Sequence, residues 1–387
     1  MSRVGNALIY QGVDSFRQLI ILSTLSGKVV KIQEIRPLED DPGLSKFEER
    51  LLRLMEQLSN GCKITINQTG TEVIYRPGLL QGGSVNFDCG PERSISYYLE
   101  TLCYLAPFCR QPLSVRLRGI TNDQRDLSVD ALRFAWLPVM RLFLLDSEGL
   151  DIRVVKRGLR PNGGGEVVFT APICRQVRAV QCVGNGGLPK VLKIRGSAFV
   201  CKTSPGLANR AIESAKSILR SLTPDIYVYA EQRKGATGGN SPGFGLCLVA
   251  ETAGSQPGLA FCGEAMSNEA GREPITPEEI GIHAARCLLE ELYEGALFDS
   301  SAASLAYLWM ALSPKDASRV ITPPPNDYSV RFLRHIRDFL SVTFKISPAE
   351  SDTKPNAEGE KEDTKIQPRL LFTCIGTGYT NINKPIL

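Results

Sequence analysis

The chain has 387 residues, 43% of them hydrophobic, enough to bury a real core in one large or two moderate domains. Its formal net charge is only +4 with both signs interspersed, so no basic block marks it for nucleic acid and any RNA site must be a local patch. Eleven scattered cysteines without a C-x-x-C pair argue against a zinc ribbon or redox motif and for a reduced, intracellular setting.

The N-terminus has no signal-peptide pattern, and the apolar run Leu19–Leu22 is far too short to span a bilayer. In chain order, the residues predict a helix over Phe16–Leu25 ended by Gly27, then an alternating strand over Lys28–Arg36. Beyond Pro42-Gly43, the apolar residues Leu44, Phe47, Leu51, Leu54, Met55 and Leu58 fall on one helical face. Lys63–Ile66 and Glu72–Tyr75 predict a hairpin around Thr69-Gly70. Helices are expected at Ile95–Leu105 and at Val129–Phe143, the second kinked at Pro138, with a strand at Leu113–Leu117 between them.

From Lys190 to about residue 265 the texture changes to a compact α/β insert. It carries strands at Val191–Ile194, Asp225–Tyr229 and Leu246–Glu251, and a helix through Ala208 and Leu219. Its glycine-rich loop, 234–243, lacks P-loop and dinucleotide spacing and reads as a flexible surface loop. Pro277 after Thr276 opens a long helix to Tyr293, a second follows over Ser300–Leu312, and His335 falls on a late helix. Residues 347–369 are nearly devoid of apolar side chains and are expected to be disordered, before a strand returns at Leu370–Ile375.

One stretch stands apart. In Arg153–Val167 a strand end is followed by Arg157-Gly158, Arg160-Pro161 and Gly163-Gly164-Gly165. Bare backbone N–H groups beside two guanidinium groups read either as an oxyanion cradle or as a tight hairpin with exposed arginines. Strands ending in arginine also recur at Arg36, Arg118, Arg157 and Arg195, which suggests a reused β–α unit with arginines along one rim.

The string from Arg157 to Gly165 resembles the signature of the RNA 3′-terminal phosphate cyclase family. The resemblance extends over nearly the whole chain: Tyr75-Arg76-Pro77-Gly78 with Gly82-Gly83, Arg118-Gly119-Ile120-Thr121-Asn122, and Cys262-Gly263-Glu264 all fall where that family has related segments. It implies an α/β (α+β) fold of repeated β–α units. A large domain, residues 1–185 and 276–387, would be interrupted by a small α/β domain, residues 186–275.

Enzymes of the family adenylate a histidine and pass the nucleotide to an RNA 3′-phosphate, which cyclises. Here Ser301 occupies the position of that histidine, and a serine hydroxyl without an assisting base is a poor nucleophile. The N-terminal segment Tyr10–Arg17 has one glycine and Asp14 as its only acid. Cys89-Gly90-Pro91-Glu92-Arg93 replaces a small-residue turn, and no lysine sits in a K-x-D-G context. These departures, with Ser241–Gly245 and Gly378–Asn381, make the chain similar to a eukaryotic cyclase-like branch of the family.

That resemblance implies a catalytically inactive nucleolar factor, without cofactor or metal, in small-subunit (18S) pre-rRNA processing and 40S assembly. It would bind a ribosome-assembly GTPase and pre-rRNA in the pre-ribosome, and no membrane. The expected anion or RNA site comprises Arg17, Arg36, Arg76, Arg157, Arg160 and Gly163, Gly164 and Gly165. Reversing Arg157 and Arg160 to Glu is expected to weaken binding and leave the fold intact. Two enzymatic readings stand beside it. One is a cyclase using Ser301. The other is a pre-rRNA endonuclease, for which Arg334, His335 and Arg337 form the acid–base cluster and Asp123, Asp126 and Asp130 are either metal ligands or the solvated start of a helix.

Overall fold

The computed structural model describes residues 7–183, 190–253, 259–267, 273–294, 296–349 and 369–383. The chain lays down one succession three times: strand, helix, parallel strand, helix, then two antiparallel strands. The first unit is β1 (Leu8–Gln11), α1 (Phe16–Ser26), β2 (Val30–Gln33), α2 (Lys46–Leu58), β3 (Lys63–Ile66) and β4 (Val73–Arg76), with strand order β1-β2-β4-β3. The second is β5 (Gly83–Asp88), α3 (Ile95–Leu105), β6 (Leu113–Gly119), a helical run α4 (129–143), β7 (Asp151–Lys156) and β8 (Gly165–Ala171), ordered β5-β6-β8-β7.

The third unit begins with β9 (Gln181–Cys182) and is then interrupted. The insert consists of β10 (Lys190–Cys201), α5 (Gly206–Leu219), β11 (Ile226–Arg233), β12 (Gly243–Ala253), β13 (Ala260–Met266) and α6 (Pro277–Tyr293), its sheet ordered β11-β10-β12-β13. The unit resumes with α7 (Ala303–Leu312), β14 (Ala317–Thr322), α8 (Asp327–Leu340), β15 (Lys345–Pro348) and β16 (Leu370–Ile375), ordered β9-β14-β16-β15. In each unit the first two strands pair in parallel, Leu8 with Val30, Gly83 with Leu113 and Gln181 with Arg319. The fold is α+β.

The helix that crosses between those parallel strands is α1, α3 or α7. Each is apolar nearly all round, and α3 and α7 are buried at every position. A helix without a polar face must be enclosed, so these three form the centre of the large core. By contrast α2 and α8 are amphipathic and cover the outside.

Several expectations change. The repeat is one of topology, not of the strand-end arginine. Arg36 and Arg118 follow or end the second strands of their units, but Arg157 follows an edge strand and Arg195 lies in the insert, so the four share no rim. Each is taken up by carboxylates near it: Glu48, Glu166, Asp130 with Glu231, and Asp225. Helix α6 packs on the insert's sheet, with Ile280, Ala284, Leu288 and Leu292 in one cluster with Ile194, Ala198, Ile212 and Phe261, so the insert's core reaches past residue 275.

In α4 a wide π turn over Leu132–Trp136 directly precedes Pro138, which lies in the first turn of the segment Leu137–Phe143. Strand β13 was not expected, because Gly263 and Glu264 dilute its apolar pattern. Of the tract expected to be disordered, Ser347-Pro348 ends β15 and residues 350–368 lie outside the described residues.

Candidate functional site

A cavity of about 750 Å³ opens where all three units meet the insert. Arg17 from α1, Arg36 after β2, Arg93 before α3 and Ser301 before α7 line it, with Phe47, Tyr97, Trp136 and Tyr328 as its aromatic walls. Three of its four arginines, Arg17, Arg36 and Arg93, are already engaged, and Arg125 is the fourth. Arg17 holds Glu100 at 2.6 Å, donates to the Tyr328 hydroxyl at 3.2 Å and lies over the Tyr97 ring at 4.8 Å. Burial pulls the Arg17 pKa down, but Glu100, Tyr328 and Tyr97 together outweigh it and the net shift is upward. Arg36 forks onto Glu48, which also closes the capping box of α2 through the Ser45 N–H. Arg93 grips Asp126 with two bonds, of 2.6 and 2.8 Å.

The opposite wall is acidic. The Ser301 hydroxyl donates to Asp299 Oδ1 at 2.5 Å and accepts from the Trp136 indole N–H at 3.2 Å. Asp299 also accepts the Cys262 N–H at 2.8 Å. Glu291, on α6, accepts from the N–H and hydroxyl of Ser300 at 2.9 and 2.7 Å. Glu264, on β13, accepts the Ser128 N–H at 2.9 Å.

Burial pushes Glu264 and Glu291 up to about 7, and raises Asp299 as well. No ion pair reaches these three carboxyls among the described residues. Glu264 carried a sequence signal through the Cys262-Gly263-Glu264 segment. Glu291 and Asp299 had none, because only the packing of α6 against the start of α7 brings them to the cavity.

The triple glycine lies elsewhere. Gly163, Gly164 and Gly165 line a separate cleft of about 740 Å³ with Arg50, Arg118 and Lys156, opposed by Asp88 and Glu166. Their other side meets the insert's glycine-rich loop: the Asn240 N–H donates to Gly163 O at 2.9 Å, and the Asn240 amide to Asn162 O at 3.1 Å. A Cβ on Gly164, whose φ is +82°, would come within 2.8 Å of the Asn240 side chain. One on Gly239, at φ +64°, would collide with Arg157 O and approach Gly163 O at 2.7 Å. Both glycine runs therefore let two backbones close a domain seam.

Arg157 belongs to that seam. Only 2% exposed, it bridges Asp130 of the large domain and Glu231 of the insert, the latter at 2.9 Å, and stacks on Phe199 at 4.6 Å. Arg160 holds Asp123 at 3.2 Å and donates to Glu92 O at 3.0 Å. Arg76 ends β4 opposite Lys63 and does not line the cavity of Arg17. Hence the eight proposed anion-site residues fall in four places. Reversal of Arg157 becomes a test of the fold, because a buried bridge cannot be inverted without stranding two carboxylates.

His335 lies between α8 and α1, its Nδ1 3.0 Å from Gln18 Oε1 and its ring edge-on to Tyr10 at 5.1 Å. Burial lowers its pKa to about 4, so the imidazole stays neutral. Its neighbours Arg334 and Arg337 point to solvent. Asp123, Asp126 and Asp130 form neither a metal set nor a solvated helix start. Each pairs with its own arginine, Arg160, Arg93 or Arg157, and no cluster of metal-binding side chains occurs among the described residues. No described helix is long and apolar enough to cross a membrane.

Residues 8–346 match the family described as RNA 3′-terminal phosphate cyclase. The whole chain is 45% identical to the human RNA 3′-terminal phosphate cyclase-like protein over that protein's entire length. It is 44% identical to the probable RNA 3′-terminal phosphate cyclase-like protein of Drosophila melanogaster, over 100% of this chain and 99% of that one. It is also 34% identical to an rRNA processing protein of Schizosaccharomyces pombe, over 97% and 98% of the two chains. With the family model matched from the first strand to β15, the chain belongs to the RNA 3′-terminal phosphate cyclase family.

Proposed function

We propose that this chain is a catalytically inactive ribosome-biogenesis factor that binds pre-rRNA and a ribosome-assembly GTPase in small-subunit (18S) processing and 40S assembly, in the nucleolus. The relative in Schizosaccharomyces pombe is named for rRNA processing, and the human and fly relatives are named cyclase-like. The observation that carries the reading is Ser301. Its hydroxyl is bound to a buried carboxyl, with Glu264 and Glu291 nearby, where a cyclase would need a free imidazole. Burial raises both Glu264 and Glu291, and any charge they gain as pH rises opposes a phosphate placed against that wall.

RNA would be held at the open glycine-edged cleft. Arg118 there is 64% exposed despite its contact with Glu166, and Lys156 and Arg50 stand beside it. Two measurements test the reading. Intact-mass spectrometry after incubation with ATP and magnesium should find no adenylate on the protein; a covalent adenylate refutes inactivity. In filter binding to a small-subunit pre-rRNA fragment, Arg118→Glu with Lys156→Glu should weaken affinity about tenfold and flatten the salt dependence. Unchanged affinity removes this cleft from the RNA path.

A further inference from the structure

Most sheet edges of this protein are short or covered. β1, β3 and β15 have four residues each and β9 two; β7 carries Asp151, Arg153 and Lys156; β13 lies against α4 and its approach. β11 differs. Its eight residues make it the longest edge among the described residues, and it pairs only with β10. Ile226-Tyr227-Val228-Tyr229-Ala230 contains no charge and no proline. Tyr227 is 63% exposed and Tyr229 49%. Natural edges of this length are normally blunted by charges, proline or bulges, because their unpaired N–H and C=O groups template another strand.

We propose that β11 is a docking edge that receives an extended segment of a partner protein by strand addition. The segment presents aliphatic or aromatic side chains at alternate positions, to pack on Tyr227 and Tyr229, which stand about 7 Å apart on one face. Tyrosines on an open sheet also stack nucleobases, but that mode needs free cations for the phosphates. Three of the cations beside this edge are ion-paired, while Lys234, the residue after the strand, is exposed. Arg195 forks onto Asp225 at 2.8 and 3.0 Å, Lys193 holds Glu251 at 3.0 Å, and Arg233 is bound to Glu231. An uncharged window bracketed by closed ion pairs fits a peptide backbone and fixes its register. The inference stands apart from the functional reading above, since neither cavity contributes to it.

The test uses the full-length protein and random 12-residue peptides displayed on phage. Selected peptides should show alternating β-branched or aromatic residues and slow amide exchange across 226–233. Tyr227→Lys with Tyr229→Lys, both exposed, should leave the thermal melt unchanged and weaken those peptides at least tenfold. The proposal is overturned if no peptide is selected, if selected peptides leave β11 exchange unchanged, or if the double variant binds them equally. It is also overturned if a 12-nucleotide oligouridylate or a second copy of the chain protects the edge in their place.

Discussion

Replacing Arg157 with Met probes the seam between the large domain and the insert. The variant keeps much of the apolar stem but loses the guanidinium over Phe199 and leaves Asp130, 5% exposed, without its cation. Glu231 loses its 2.9 Å partner and retains Arg233 and the Ser197 hydroxyl. Burial pushes the Glu231 pKa up, while Arg157 and Arg233 together bring it below the usual value, so removing Arg157 lets burial act with less opposition. Breaking one buried ion pair costs roughly 3–5 kcal/mol, and the contact kept by Glu231 favours the lower end, about 3 kcal/mol.

Urea unfolding followed by circular dichroism at pH 7.5 reads this as a lowered midpoint. At pH 5 the deficit should shrink, because carboxyls stripped of their cation can protonate. Arg157→Met combined with Asp130→Asn and Glu231→Gln should recover most of the loss, since no charge is then stranded. A midpoint for Arg157→Met within experimental error of the parent at pH 7.5 would refute the bridge.

Two further outcomes follow from the same structure. Glu264 and Glu291 are raised from 4.5 to about 7 in the folded chain, so their contribution is fully present below pH 4.5 and is lost as pH rises through 7. Each ionisation costs on the order of 3 kcal/mol, and Glu264→Gln with Glu291→Gln should flatten the fall in urea midpoint between pH 5 and 8; an equal slope in parent and variant contradicts this. Asn381, near the C-terminus, donates its amide to Cys109 O and Cys174 O at 3.1 and 3.0 Å. Asn381→Ala should cost ~1–3 kcal/mol in the same assay, and Asn381→Asp more, because a carboxylate cannot donate; an Asp variant as stable as the parent would show the bonds are idle.

Local patterns in the chain were strong wherever one element could be recognised by itself. Gly27 stops α1 in the left-handed region, Pro277 opens α6 behind a Thr276 capping box, and Ile95–Leu105 runs without a breaker. Those signals sit within a few residues of the structure they specify, and the family followed from spaced motifs for the same reason. The site was less legible. Arg157, Arg160 and the triple glycine read as an anion cradle, because a guanidinium beside bare N–H groups looks the same in sequence whether a phosphate or a carboxylate faces it.

Composition, periodicity and motif spacing therefore determined many of the elements and the family. Tertiary structure alone decided which charges are spent and which remain free: Asp130 lies 27 residues from Arg157 and Glu231 lies 74 away, and no local rule pairs them. It also decided that Glu264, Glu291 and Asp299 share one cavity wall with Ser301. The physical reason is that helix and strand formation is governed by neighbours along the chain. Burial and ion pairing are governed by neighbours in space, which three repeated units and an inserted sheet bring together only once folded.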